Sequence, residues 1–174
     1  MMSPVDLVLP TADLRESYLG GLRELRKEGR HPDLDPDVPG EFEAHLERLR
    51  AWSSGRELRD GWVPWTEHWI TADRVWAGRI AFRHVLTPAL ERFGGHIGYE
   101  VRPSHRGRSV ATRALALLLD RLRAAGPARV LVTCDTTNVA SRRVIEKNGG
   151  VLQDVIELDG RDAPTMRWWI RLRP

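Results

Sequence analysis

Apolar residues along the chain recur first at strand spacing, then at helical spacing, and the changes of period sketch a mixed fold. Val5 to Leu9 is a short apolar run that predicts a first strand. Leu14, Tyr18, Leu22 and Leu25 then share one helical face, with Thr11 placed to cap its start and Gly29 to stop it. Pro32, Pro36, Pro39 and Gly40 mark a loop. Phe42, Leu46, Leu49 and Trp52 predict a second amphipathic helix, ended near Ser53–Gly55. From Gly61 the texture turns strand-like: Trp62, Val63, Trp65, Trp69 and Ile70 favour extended backbone, and Pro64 indicates an edge or a bulge. Arg74 to Val85 alternates after a turn at Asp73, carrying Val75, Ala77, Ile80 and Phe82.

Pro88 to Phe93 reads as a loop or a short helical turn. Gly95 to Arg102 alternates again, with Ile97, Tyr99 and Val101 on one face and His96, Gly98, Glu100 and Arg102 on the other. A helix follows, from Val110 through Leu122, apolar nearly all round and so expected to be deeply buried; Gly126–Pro127 stops it. Val130, Leu131 and Val132 predict a buried strand, and Asn138 caps a short helix through Val144 and Ile145 that ends at Gly149–Gly150. Val151 to Leu158 and Thr165 to Leu172 predict a closing hairpin turning at Asp159–Gly160. Trp168 and Trp169 point to opposite faces of that last strand, so at least one belongs to a core. The order is strand, two helices, three strands, helix, strand, helix, two strands. That order predicts a mixed sheet with helices, α/β or α+β.

Composition narrows the class. A chain of 174 residues, 41% hydrophobic and 29% charged, has the balance of one globular domain with a single core. No apolar run approaches the roughly 18–20 residues a membrane span needs. Met1 to Pro10 has no basic segment ahead of its apolar stretch, so no signal peptide is expected. Cys134 is the one cysteine; it excludes an internal disulfide and a zinc cluster of ordinary spacing, so no metal is expected and the expected location is the reducing cytoplasm. The formal charge of +3 is too small to indicate nucleic acid, and among the 27 basic residues only Lys27 and Lys147 are lysine.

The distribution of charge says more than its sum. Residues 102–113 run from the end of a strand, through a short loop, into the buried helix, and carry Arg102, Arg106, Arg108 and Arg113 with no acid. A helix start offers unpaired N–H groups and a partial positive charge, and Gly107 allows close approach. Two readings stay open: an anion site, most simply for a pyrophosphate, or a turn that happens to be basic.

Here the sequence resembles the GNAT N-acetyltransferase superfamily. Ser104-His105-Arg106-Gly107-Arg108-Ser109, followed by Val110-Ala111-Thr112, is similar to that family's acetyl-CoA motif, matching at Arg106, Gly107, Ala111 and Thr112. Ser104 replaces the usual Gln or Arg, and Ser109 the second glycine. A serine there keeps the approach open if its φ is negative and is costly if its φ is positive. Asn138-Val139-Ala140-Ser141, then Gly149–Gly150, is similar to a second family motif. The resemblance implies a splayed mixed sheet of six to seven strands flanked by about four helices, with acetyl-CoA as co-substrate in the gap between two parallel strands. It implies that the Val101 backbone pairs with the pantetheine arm, that Arg106, Gly107, Arg108, Ser109, Val110 and Ala111 hold the pyrophosphate, and that Asn138 and Ser141 contact the pantetheine. It implies one acyltransferase domain over 1–174 acting on a primary amine of a small molecule or peptide.

Such chemistry needs a base for the amine, a donor for the oxyanion and an acid for the thiolate. The tyrosine that many relatives use as acid is Ile145 here. Glu100, His96 and Asp135 are the base candidates, each with a structural alternative: an ion pair, a loop hydrogen bond, a loop brace. Tyr99 is open to packing or chemistry, and Cys134 to packing or a covalent route. Trp62, Trp65, Trp69 and Trp76 either line an acceptor pocket or pack. Asp33, Asp35 and Asp37 either attract a cationic amine or are simply solvated. Alternatives to acetyl transfer are another donor (a different acyl-CoA, a carrier-protein thioester or aminoacyl-tRNA) and a non-catalytic acyl-CoA-binding module. No membrane partner is expected, and no nucleic acid apart from tRNA; a homodimer is open.

Overall fold

The computed structural model describes residues 4–31, 34–35 and 38–173. Seven strands form one sheet: β1 (Val5–Val8), β2 (Trp65–Ala72), β3 (Val75–Arg83), β4 (Ile97–Val101), β5 (Arg129–Asp135), β6 (Val151–Ile156) and β7 (Thr165–Arg171). Their spatial order is β1-β2-β3-β4-β5-β7-β6, antiparallel throughout except for β4 against β5. Five α-helices accompany them: α1 (Arg15–Arg26), α2 (Glu41–Ser53), α3 (Pro88–Arg92), α4 (Val110–Ala125) and α5 (Val139–Lys147). The element order is the one the hydrophobic pattern predicts. Where that pattern allows a loop or a turn, the chain forms α3, with Thr87 capping it and Pro88 at its first position. Trp62 and Val63 fall outside the ladder; β2 starts at Trp65, just after Pro64, which has no N–H to give it. Thr11 caps a single 3-10 turn, Ala12–Leu14, that leads into α1.

Two cores lie on opposite faces of the sheet. On one, Ala114, Leu115, Leu118 and Leu119 of α4 pack against Ile70, Ile80, Ile97, Val130 and Val132, all buried. α4 is amphipathic and not apolar all round, since Asp120, Arg121 and Arg123 are exposed. On the other face α1 and α2 close over an aromatic cluster. Tyr18 stacks on Trp69 with ring centroids 4.7 Å apart and 11° between planes, and Trp76 meets Tyr18 edge-on at 5.3 Å. Each such pair adds about 0.5–1.5 kcal/mol beyond area burial. Trp69 and Trp76 are therefore core residues. In the last strand Trp168 is buried, while Trp169 faces the other way under Arg129, whose guanidinium carbon lies 4.0 Å from its ring centroid.

Two features shape the middle of the sheet. The β2–β3 register slips between Ile70 and Thr71, which leaves Ala77 as an extra residue on β3. Beside this bulge Gly78 has φ +156°, and a Cβ there would sit 2.2 Å from the Glu100 carbonyl oxygen, so only glycine fits. The second feature is a fork. β4 and β5 share the single registered pair Ile97↔Val132, after which β5 pairs with β7 along its whole length. At the closed end the His96 N–H donates to the Leu131 carbonyl at 2.8 Å, and the Leu131 N–H donates to His96 Nδ1 at 2.9 Å. On the β3 side, the Arg102 N–H donates to Ala77 O at 2.9 Å and the Arg83 N–H to His96 O at 2.7 Å. In an antiparallel ladder hydrogen-bonded pairs alternate with non-bonded ones. The main-chain groups of Tyr99 and Val101 therefore turn away from β3, into the fork.

Candidate functional site

The open end of the fork faces the start of α4. Gly107 has φ +74°, and a Cβ on it would meet nothing within 4 Å, so open space lies beside that backbone. Among the described residues, the N–H groups of Gly107, Arg108, Ser109, Val110, Ala111 and Thr112 find no protein acceptor; the first is Arg113, which donates to Ser109 O at 3.1 Å. This row of donors, with the positive end of a 16-residue helix behind it, is a ready cradle for phosphate oxygens. Ser109 precedes α4 with φ +58° and ψ +16°, and its hydroxyl makes no capping bond. The glycine replacement thus falls in the costly, left-handed conformation.

The arginines around the cradle are less free than the sequence suggests. Arg102 is mostly buried: Nη1 donates to Ser17 O at 3.3 Å and Trp76 O at 3.1 Å, and Nη2 donates to Glu24. Arg106 donates from Nε to Val101 O at 3.0 Å and makes a bidentate pair with Glu28 at 2.9 and 2.8 Å. Glu24 also accepts from the Ser104 N–H at 3.0 Å, and the hydrogen bond from Arg102 holds its carboxyl down at about 2. Arg108 is exposed, with no ion pair among the described residues.

Across the fork, Asn138 caps α5, its side-chain oxygen accepting from the Ser141 N–H at 3.0 Å. Ser141 Oγ lies 2.7 Å from the Tyr99 hydroxyl, so a pair of hydroxyls bridges β4 and α5. Burial pushes the Tyr99 phenol up to about 12, which keeps it protonated at neutral pH. Ile145, where many relatives place a tyrosine, is fully buried. Cys134 is also buried, and that burial raises its thiol, which does not favour the thiolate a covalent route needs.

On the near side of β4 a cleft of about 440 Å³ opens, with Trp62, Trp65, Arg30, Arg79, Arg83 and Glu100 among its walls. Its floor is a chain of charges. Arg79 Nη1 donates to Glu67 at 3.1 Å, and Arg79 Nε lies 3.5 Å from Glu100. Glu100 also receives Arg30 Nε and stands 2.5 Å from His31 Nε2. Burial alone would raise the Glu100 carboxyl; the hydrogen bond from His31 and the charges of His31, Arg79 and Arg30 outweigh it and hold the group at about 2.

The structure thus brings Glu100 to the cleft and Val101, Gly107, Arg108, Ser109, Val110, Ala111, Asn138 and Ser141 to the fork, and turns the Arg106 side chain onto Glu28 and Val101. It places neither of the other two base candidates, His96 and Asp135, on the walls of that cleft. The Nδ1 lone pair of His96 is occupied by Leu131, and burial, then Arg83, lowers that ring's affinity for a proton. Asp135 is held by Arg161 Nη2 at 2.8 and 2.9 Å. Asp35 faces Arg26 at 4.0 Å, and Asp33 and Asp37 lie outside the described residues. Sequence reasoning missed Arg79, Arg83 and His31, and left Tyr99 undecided. Strand parity was the available signal, since Arg79 and Arg83 alternate with Ile80 and Phe82, which face the core. Among the described residues no group of His, Cys, Asp and Glu could hold a metal ion, and no helix is long and apolar enough to cross a membrane.

Comparison with known proteins places this geometry. A family model described as an acetyltransferase (GNAT) domain matches residues 14–151. Solved structures share the fold at low identity. One is the microcin C7 self-immunity acetyltransferase MccE in complex with acetyl-CoA and AMP (14% identity, TM-score 0.71, 96% of this chain and 92% of that one). Another is RimL, a ribosomal L7/L12 alpha-N-protein acetyltransferase in complex with coenzyme A (15%, 0.71, 98% and 95%). A third is Mycobacterium smegmatis RimJ in complex with CoA-disulfide (22%, 0.69, 96% and 81%). No curated protein matches this chain by sequence.

Proposed function

This chain belongs to the GNAT acetyltransferase family, and on that footing we propose that residues 1–174 form one acyltransferase domain moving the acetyl group of acetyl-CoA onto a primary amine. The observation that carries the reading is the row of unpartnered amides, Gly107 to Thr112, at the mouth of α4 beside a sheet that opens after one β4–β5 pair. The fit is good for a diphosphate: donors are present, space beside Gly107 is open, and no carboxylate projects from residues 102–113 themselves. Those amides hold the diphosphate. The main-chain groups of Tyr99 and Val101, with the Asn138 side-chain amide, line the arm that follows it into the fork. When bound, acetyl-CoA supplies the thioester.

In the reaction the amine, as the free base, attacks the thioester carbonyl; a C–N bond forms, the C–S bond breaks, and the sulfur leaves with the electron pair. Glu100 accepts a hydrogen bond from the amine and fixes its direction. With its carboxyl held down at about 2 it is a weak proton acceptor, so it works as an anchor and the amine's proton passes to water in the cleft. The Tyr99–Ser141 hydroxyl pair donates toward the departing sulfur. His96 and Asp135 hold the fork and its loop and move no proton. The sequence offers a single cysteine, Cys134, and that sparing use supports a cytoplasmic setting. RimL and MccE, named as acetyltransferases, support an amine on a peptide or a small molecule as acceptor.

The test is a calorimetric titration with acetyl-CoA, followed by thiol release across a panel of amines. Micromolar binding and release with some members is expected. Binding without release over the panel would replace the enzyme with an acyl-CoA-binding module. No binding of acetyl-CoA would overturn the assignment of the cradle.

A further inference from the structure

The cations of the acceptor cleft are not equivalent. Arg79 lies between Glu67 and Glu100, and Arg30 pairs with Glu100. Arg83, at the end of β3, has no carboxylate partner among the described residues. Its hydrogen bonds run from Nη1 to two backbone carbonyls, Gly94 O at 3.0 Å and Gly95 O at 3.1 Å. Among the described residues Nε and Nη2 have no hydrogen-bond partner, and neither counts among the fully buried unpartnered atoms. The guanidinium is half-buried, and burial and the neighbouring Arg79 both work against its charge. Small residues leave room beside it: Ala81 and Gly98 form the adjoining wall, and a Cβ on Gly98 would stand 3.8 Å from Arg83 Nη1. The two carboxylates of the cleft floor, Glu67 and Glu100, are engaged by Arg30, Arg79 and His31, which leaves Arg83 without a counter-charge among the described residues. The pantetheine arm of the donor is uncharged and cannot supply the missing anion.

We propose that the acceptor is an anionic amine, its nitrogen set at Glu100 and its carboxylate or phosphate taken by Arg83, with Trp62 and Trp65 as the flat wall along the spacer between them. The inference rests on the acyl-transfer reading and names the substrate class of that same cleft. Arg79 lies opposite Glu100 in the ladder, and Arg83 is four residues further on, about 13 Å along the strand. Allowing for the reach of both side chains, nitrogen and anion stand roughly 5–10 Å apart. That excludes the α-carboxylate of a free amino acid as the recognised group. It fits an acid on the second residue of a peptide or a phosphate on an aminoalkyl chain. A guanidinium donating twice to an anion in a partly desolvated wall gives a strong preference over the neutral isostere.

Two matched pairs test this: Ala-Asp-amide against Ala-Asn-amide, and 5-aminopentyl phosphate against 5-aminopentanol. In the wild-type protein kcat/KM is expected to favour the anionic member of at least one pair by about tenfold to a hundredfold; the pair that responds identifies the anion. Arg83→Gln should erase the preference. Because that change also removes the Gly94 and Gly95 anchors, Ala81→Asp serves as a second variant: it keeps them, sets a carboxylate beside the guanidinium, and should erase the preference too. Binding of the same four compounds to the CoA-loaded protein is measured in parallel. Arg83-dependent binding of the anionic members without thiol release sinks acyl transfer and upholds the site. Thiol release at equal rates within both pairs, or a preference that survives in both variants, sinks the site and upholds acyl transfer. No binding of any of the four also overturns the site.

Discussion

Ser109→Gly is the substitution whose effect the geometry predicts most directly. Ser109 holds φ +58° and ψ +16° immediately before α4. A residue with a Cβ in this left-handed region costs about 1–2 kcal/mol against the right-handed one. Glycine removes that cost but loses about 0.5–1 kcal/mol through its freer unfolded chain. The serine hydroxyl makes no capping bond, so nothing else is lost with it. The net expectation is a gain of about 0.5–1 kcal/mol, or a Tm rise of about 1–4 °C for a domain of this size. Ser109→Ala keeps the Cβ and drops the hydroxyl, so it should leave Tm nearly unchanged. Urea melts of the three proteins at constant m-value give the comparison. If the glycine variant is less stable than wild type, or the alanine variant loses as much as the glycine variant gains, the strain argument is wrong and the hydroxyl is stabilising this turn.

Other positions yield sharper functional readouts. Gly107→Val should raise the acetyl-CoA Kd more than about tenfold, since the side chain enters the space beside the cradle and the positive φ costs a further ~1–2 kcal/mol of stability; an unchanged Kd would remove this loop from the site. Asn138→Ala should cost about 1 kcal/mol through the lost cap and also weaken acetyl-CoA binding in the same titration; a stability loss alone would make it a cap and nothing more. Gly78→Ala should fail to give folded protein by circular dichroism, because its Cβ would meet the Glu100 carbonyl at 2.2 Å. Glu100→Gln should lower the rate at neutral pH and leave acetyl-CoA affinity alone. Glu100 titrates lower folded than unfolded, so its stabilisation is present above the ordinary carboxylate range and disappears as pH falls toward about 2. The glutamine variant should therefore show a shallower loss of stability over that acid window, and a wild-type rate profile with an inflection between pH 4 and 6 that vanishes in the variant would restore Glu100 as a base.

The architecture was legible because periodicity dominates it: the switch from helical spacing at Leu14–Leu25 to alternation at Val75–Phe82 marks real boundaries. The cradle was legible as well, since a glycine-bearing loop between a strand and an apolar helix is a local signal. What stayed hidden is non-local. Arg79 meets Glu100 because β3 and β4 set these two residues opposite each other, and no short pattern encodes which residues of two strands become partners. His31 reaches Glu100 from a loop 69 positions earlier. The basic run at 102–113 looked uncompensated because its counter-charges, Glu24 in the last turns of α1 and Glu28 in the turn just after it, lie roughly 80 residues upstream. Serine at 109 read as a tolerable change of size, and its backbone angle, which the sequence leaves free, makes it a strained one.

That pair of acids at the end of α1 and just past it changes what the loop can offer a visitor. Two of its guanidiniums arrive already neutralised, so the attraction felt by a nucleotide comes chiefly from peptide dipoles fixed in place by the turn, and these act only at contact and are poorly masked by dissolved ions. Recognition at this end of the molecule is thereby a matter of chain path more than of side-chain chemistry. A change that moves the glycine or the helix behind it therefore costs the bound nucleotide more than one that trims the exposed guanidinium of Arg108.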